Sequence, residues 1–184
     1  MFVSVTIEGV TPLLMNRFPD HDTAAPTATM KGERGTPREQ ADPKTYRLPD
    51  GELYIPGPNI YASIIEAGKF HKVGKRQLTT MKTSFVPCGV ALIEPECSLH
   101  TQEYEVDSRP VVIPSTGGRV MCHRPRLDKW STSFTLDIDT KEFEENLVRH
   151  LVDDAGKKLG LGDFRPQRKG PFGRFVVTKW EKIP

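Results

Sequence analysis

The chain opens with Val3, Val5 and Ile7 alternating with Ser4, Thr6 and Glu8, the period-two pattern of a strand with one buried face. Gly9-Val10-Thr11-Pro12 closes it. Residues 16–50 then carry Pro19, Pro26, Pro37, Pro43 and Pro49, few apolar side chains and no periodicity, which predicts a long loop excursion from the core after the first strand. Leu53-Tyr54-Ile55 predicts a short extended piece ending in the tight turn Pro56-Gly57-Pro58. Behind it Ile60, Ile64 and Ala67 recur at helical spacing, with Asn59 as the N-cap.

Residues 84–99 and 104–113 read as strands, with Pro87, Pro95 and Pro110 marking edges, bulges or ends. Ser115-Thr116-Gly117-Gly118 is a turn. Residues 119–126 form a basic arm, and Phe134, Leu136 and Ile138 alternate with Thr135, Asp137 and Asp139 as a strand returning to the core, so residues 109–138 predict a projecting hairpin. Asp139-Thr140-Lys141-Glu142 has the spacing of a capping box, and Phe143, Leu147, Leu151 and Ala155 follow at i+4 intervals. That helix ends at Lys157-Lys158-Leu159-Gly160, with Gly160 suited to a left-handed C′ position. Residues 175–180 supply a last strand. The order β-α-β-β-α-β is of the α+β class and predicts a ferredoxin-like or RRM-like core: an antiparallel sheet, both helices on one face, the other face free.

A length of 184 residues predicts one domain over 1–184, and the sequence holds no apolar run of membrane-spanning length and no secretory leader, so a cytoplasmic protein without membrane contact is expected. Cys88, Cys97 and Cys122 are odd in number and contain no CxxC pair, which indicates neither a disulfide framework nor a zinc ribbon. No cofactor and no metal site is expected. The formal net charge is only +2, but its distribution is uneven. Residues 94–107 hold Glu94, Glu96, Glu103, Glu105 and Asp107 without a Lys or Arg. Arg109, Arg119, Arg124, Arg126 and Lys129 follow against Asp128 alone, and Lys69, Lys72, Lys75, Arg76 and Lys82 cluster with His71 behind the first helix. Ordinary solvated loops carry such charges too.

The segment with the most chemistry is residues 160–174. Gly160, Gly162, Gly170 and Gly173 frame Arg165, Arg168 and Lys169, and Arg174 follows. Glycines let backbone N–H groups come close to a phosphodiester, and the cations neutralise it. No GK[ST] follows, and helix precedes loop, so neither a Walker loop nor a dinucleotide-binding turn is present. A glycine-rich C-cap running into a loose hairpin has the same composition.

Helix, glycine loop and strand together resemble the C-terminal signature of the RAMP superfamily, the ferredoxin-like proteins of CRISPR ribonucleoproteins. Residues 50–65 (DGELYIPGPNIYASII) look like that family's IPGSS turn-and-helix, and residues 7–15 (IEGVTPLLM) resemble its first strand running into a PL motif. Tyr61, Ala62 and Met15-Asn16 depart from the usual residues, as in a diverged relative of the kind a phage or mobile element carries. The resemblance implies a non-catalytic, crRNA-binding backbone subunit of an antiviral ribonucleoprotein, present as repeating copies beside other subunits. It implies that the glycine loop and the free sheet face hold the RNA, while residues 16–50 and the arm meet neighbouring subunits and the guide-target duplex.

On that reading Arg165, Arg168, Lys169 and Arg174, with Lys72, Lys75 and Arg76, contact phosphates, and Gly160, Gly162, Gly170 and Gly173 shape the loop. Asn59 on the turn and Arg124 and Arg126 on the arm join them, and Phe164, Phe172 and Trp130 are candidates for stacking bases. Two other classes stay open. A RAMP-type endoribonuclease would use an Asp or His, for which Asp20, His21, Asp22, His71 and His123 are the candidates. A homo-oligomeric assembly protein without nucleic acid would pair the acidic stretch at 94–107 with the basic arm of the next copy.

Overall fold

A computed structural model describes residues 1–18, 35–112 and 116–184; Asp20, His21 and Asp22 lie outside the described residues. In chain order the strands are β1 (Phe2–Gly9), β2 (Leu13–Leu14), β3 (Tyr54–Pro56), β4 (Lys72–Val73), β5 (Arg76–Gln77), β6 (Val90–Leu92), β7 (Glu96–Ser98), β8 (Glu105–Val112), β9 (Arg119–Leu127), β10 (Ser131–Ile138) and β11 (Phe175–Ile183). The α-helices are α1 (Pro37–Ala41), α2 (Gly57–Ala67) and α3 (Glu145–Asp154). The architecture is α+β.

Alternation decides the main sheet. Val3, Val5 and Ile7 of β1 and Phe134, Leu136 and Ile138 of β10 are all buried, and the two strands pair antiparallel from Phe2↔Asp137 to Glu8↔Ser131. β11 joins the other edge of β1, with a register shift between Thr6 and Ile7, and β6 joins β10, giving the order β11-β1-β10-β6 with every neighbouring pair antiparallel. Between β1 and β6 the chain makes α2, and between β10 and β11 it makes α3. The two helices pack together, and Ile60, Ile64, Ala67, Val148, Leu151 and Val152 share one core with the apolar face of the sheet.

The opposite face is largely polar, with Phe2, Val176 and Ile183 exposed among its polar side chains. Thr6 and Ser133 share a hydrogen bond of 2.8 Å across the sheet, and by register Ser4, Glu8, Thr135, Asp137, Lys179 and Glu181 lie on the same side. Glu8, Asp137 and Glu181 stand against Lys179 and the N-terminal ammonium, which lies 3.3 Å from Asp137 Oδ1, so the face carries a small negative excess and offers phosphate little attraction.

Several elements differ from the sequence reading, each for a local reason. α2 begins at Gly57, with Pro56 as its N-cap and Asn59 inside the first turn, because Pro58 carries a helical φ and needs no donor there. Gly57 is required: a Cβ would lie 2.0 Å from the Glu94 carbonyl oxygen. Asp139 does not cap α3. Its carbonyl closes a turn with the N–H groups of Glu142 (3.2 Å) and Phe143 (2.9 Å), which drops Phe143 into the core, and the helix starts at Glu145. α3 runs on through a π turn, Ala155–Leu159, closed by Gly160 N–H donating to Ala155 O over 2.8 Å. Gly160 then takes φ 74° and ψ −179°, a positive φ but an extended one, in place of the left-handed helical cap.

The projecting ribbon is also re-paired. β9 runs antiparallel to β8 over eight residue pairs, from Glu105↔Arg126 to Val112↔Arg119, and β2 extends this second sheet on the other side of β9. The ribbon is therefore formed by β8 and β9, while β10 belongs to the main sheet. The stretch 84–99 holds two short strands and a 3-10 turn, Val86–Cys88, in place of a continuous strand. Within 16–50 the chain forms α1, capped reciprocally by Thr36 and Glu39, and Arg38 anchors it by donating to Tyr104 O (3.2 Å) and covering the Tyr104 ring (4.4 Å). No helix among the described residues is long and apolar enough to cross a membrane.

Candidate nucleic-acid interface

The loop between α3 and β11 is folded by its glycines onto the chain's own backbone. A Cβ on Gly162 would lie 2.4 Å from Leu14 O, on Gly170 1.7 Å from Phe164 O, and on Gly173 1.8 Å from Leu161 O. Those close approaches engage the loop's N–H groups. Leu161 donates to Gly173 O (2.9 Å), Asp163 to Leu14 O (2.8 Å), Gly170 to Arg165 O (3.0 Å) and Gly173 to Pro12 O (2.8 Å). The sequence reading had these amides facing a phosphodiester. In the structure they tie the loop to β2 and to itself.

The cations divide into two groups. Arg168, Lys169 and Arg174 are exposed, and Lys169 is held at φ 63°. Arg165 is half-buried: its Nη1 donates to Gly162 O (2.9 Å), and Nε and Nη2 donate to Gln167 Oε1 (3.1 and 2.8 Å). Burial and then the neighbouring Arg168 charge lower its pKa, against the opposing pull of Asp163. Arg124 is buried on β9, where Nη1 donates to Asp163 Oδ2 (2.7 Å) and Nη2 lies 3.9 Å from Asp107 Oδ2. It is a structural cation under the loop, unable to reach a phosphate. Arg126 is half-buried and paired with Asp128.

The aromatic candidates divide in the same way. Trp130 is buried, donates from Nε1 to Thr11 O (2.9 Å) and meets the Phe175 ring edge-on. Phe172 is buried beneath the Arg109 guanidinium. Both are packing residues, which removes them as base platforms; Phe164 remains partly exposed at φ 49°.

The three stretches that carry the family resemblance converge on one cleft of about 350 Å³. Leu13, Leu14 and Asn16 come from the first motif, Pro56 and Asn59 from the second, and Gly160, Gly162 and Arg165 from the glycine loop. Helix α2 presents Asn59, Ala62, Ser63 and Glu66 to it, positions i, i+3, i+4 and i+7 of one stripe. Tyr46 and Tyr54, in edge contact at 5.6 Å, line it as well. The sequence reading passed over Tyr46, Tyr54, Glu66 and Gln167; of these only Glu66 has a sequence signal, its i+7 spacing from Asn59 on α2.

Lys72, Lys75 and Arg76 lie exposed on the β4–β5 hairpin, which turns at Gly74. A chain of contacts joins it to the glycine loop: Gln167 Nε2 donates to Glu66 Oε2 (3.3 Å), Lys69 Nζ pairs with the same carboxylate, and Gln77 Nε2 donates to Lys69 O. His71 bonds Asp154 Oδ2 through Nε2 (3.0 Å), beside Lys158 on the same carboxylate (2.7 Å). His123 shares a 2.7 Å bond with Ser108 across the ribbon. His71 and His123 are thus each tied to a partner within the fold. Among the described residues no group of three or more His, Cys, Asp or Glu side chains is placed to hold a metal ion.

No protein-family model matches the chain, and no curated protein does either. Among solved structures the chain is similar to a chain of the cryo-EM structure of the Type III-B Cmr-beta bound to cognate target RNA, at a TM-score of 0.57 and 13% identity. The match covers 98% of this chain and 59% of that one, so the likeness is one of fold over somewhat more than half of the longer molecule.

Proposed function

We propose that this protein is a diverged member of the RAMP superfamily with a ferredoxin-like core, and that it binds single-stranded RNA without cleaving it, as a subunit of a ribonucleoprotein. The sheet order β11-β1-β10-β6, with one helix in each crossover, supports the core assignment. The convergence of the three resembling motifs on one cleft, with exposed Arg168 and Lys169 following its lining residue Gln167 in the loop, carries the functional reading. The fold likeness to a chain in an RNA-bound Cmr complex agrees with it.

RNA is held at the loop rim and along the β4–β5 hairpin, which together present Arg168, Lys169, Lys72, Lys75 and Arg76 to solvent. The net-negative open face of the sheet is excluded from the path, and so is buried Arg124. Binding of this kind is indifferent to sequence and weakens with salt, because each neutralised phosphate releases condensed counterions.

The test is the slope of log affinity against log salt for a single-stranded RNA. Replacing Arg168 and Lys169 together by Ala makes it shallower by about 1.4, at roughly 0.7 per phosphate on a single strand. An unchanged slope removes the glycine loop from the interface, and no binding by the wild type at low salt removes the RNA reading altogether.

A further inference from the structure

The cleft itself is not built for phosphate. Its two carboxylates are already neutralised: Asp163 accepts from Arg124, Asn16 and its neighbour's N–H, and Glu66 from Lys69 and Gln167. That disposes of a cation site. Its one guanidinium, Arg165, is turned onto Gly162 O and Gln167. The exposed loop cations Arg168 and Lys169 do not line it but directly follow its lining residue Gln167.

What the interior offers is different. Tyr46 and Tyr54 bring two ring systems, and Leu13, Met15, Ile55 and Pro56 make an apolar wall. The Asn59 side-chain amide bonds no described residue, and Ala62 leaves open space beside it on the α2 stripe. At about 350 Å³ the space falls within the roughly 300–1,000 Å³ of small-ligand pockets, in which apolar surface supplies affinity and a few polar groups set orientation. A flat heteroaromatic ring with amide-like edges suits π faces, an apolar wall and a free amide together.

We infer that the cleft holds one unstacked nucleobase with its ribose, while Arg168 and Lys169 of the loop take the phosphates on either side. The inference rests on the RNA-binding reading and deepens it: the glycine loop separates base from backbone. The same chemistry is met by a base within a strand or by a free nucleoside monophosphate.

The experiment compares a short single-stranded RNA with an abasic ribose-phosphate strand of equal length, using wild-type protein, Ala62→Trp to fill the cleft, and Ala62→Ser to leave it open. The base-bearing strand binds the wild type and A62S about tenfold or more tighter than the abasic one. A62W abolishes that difference and leaves the salt slope unchanged. Should A62W lower the melting temperature, Tyr46→Leu repeats the test by removing a ring face without filling the space. Competition by a free nucleoside monophosphate assigns the site to the free ligand, and competition only by a strand assigns it to a base within RNA. Equal binding of the two strands with a full salt slope overturns the base pocket while RNA binding stands. Failure of both strands to bind at low salt overturns the RNA reading and the pocket with it.

Discussion

Arg124 and Asp163 meet at 2.7 Å across 39 residues of sequence, joining the ribbon strand β9 to the glycine loop. Arg124 is 5% exposed and sits between Asp163 and the equally buried Asp107, whose Oδ2, like Arg124 Nε, is buried without a hydrogen-bond partner among the described residues. A buried charge with imperfect pairing is sensitive to loss of its counterion. The cluster fixes the loop that walls the cleft, so its effect on binding is indirect.

Replacing Arg124 by Met therefore destabilises the protein, by up to about 3 kcal/mol, since Asp163 loses its guanidinium partner, while Asp107 keeps Arg109 at 2.8 Å. Urea denaturation measures it. In the fraction that stays folded, the salt slope of RNA binding matches the wild type. A shallower slope at normal stability would make Arg124 a phosphate ligand and reverse its assignment here.

Gly173 and Gly117 separate strain from collision. Both have positive φ, 72° and 67°, but a Cβ on Gly173 lies 1.8 Å from Leu161 O, whereas one on Gly117 meets nothing within 4 Å. Gly117→Ala costs about 1 kcal/mol from backbone strain alone. Gly173→Ala costs more than about 3 kcal/mol, because the Leu161 carbonyl must move while buried Leu161 is fixed by its N–H donating to Gly173 O and by Asp163 N–H donating to Leu14 O. Thermal unfolding of the two variants decides the matter; equal shifts would mean that the loop yields and is not fixed by backbone contact.

These contrasts mark where the sequence was legible. Alternation over Val3-Val5-Ile7 and Phe134-Leu136-Ile138 reads directly as the central strand pair, because a sheet with one buried face imposes period two on its side chains. Pairing partners are harder. Nothing local distinguishes β9 bonding to β8 from β9 bonding to β10, and the turn at 115–118 favoured the first only once the ladder was seen. Thr36-Pro37-Arg38-Glu39 carries the Thr-x-x-Glu spacing of a capping box, yet the proline count around it read as loop. At the site, the glycines were legible as close approach, but what they approach is the protein's own carbonyls. Trp130 illustrates the same limit: an aromatic beside basic residues looks like a base platform until Gly9 is found beneath it, with room for no Cβ within 2.1 Å of Nε1.

The β4–β5 hairpin decides whether the RNA path extends beyond the glycine loop. Lys72, Lys75 and Arg76 are exposed, and the turn residue Gly74 is in open space, so little of the fold depends on these side chains. Arg76 over the Phe85 ring, 5.4 Å from its centroid, contributes about 0.5 kcal/mol. The triple variant K72A/K75A/R76A is therefore expected to unfold within about 1 kcal/mol of the wild type, while its salt slope for single-stranded RNA is shallower by about 2. Combined with R168A/K169A the two reductions add if loop and hairpin hold different phosphates of one strand, as the contacts through Gln167, Glu66, Lys69 and Gln77 suggest. A slope unchanged by the triple variant would confine the RNA to the loop rim. The charge of the hairpin would then serve contacts to protein, because among the described residues the Lys72 and Lys75 side chains bond nothing and that of Arg76 makes only its contact with Phe85.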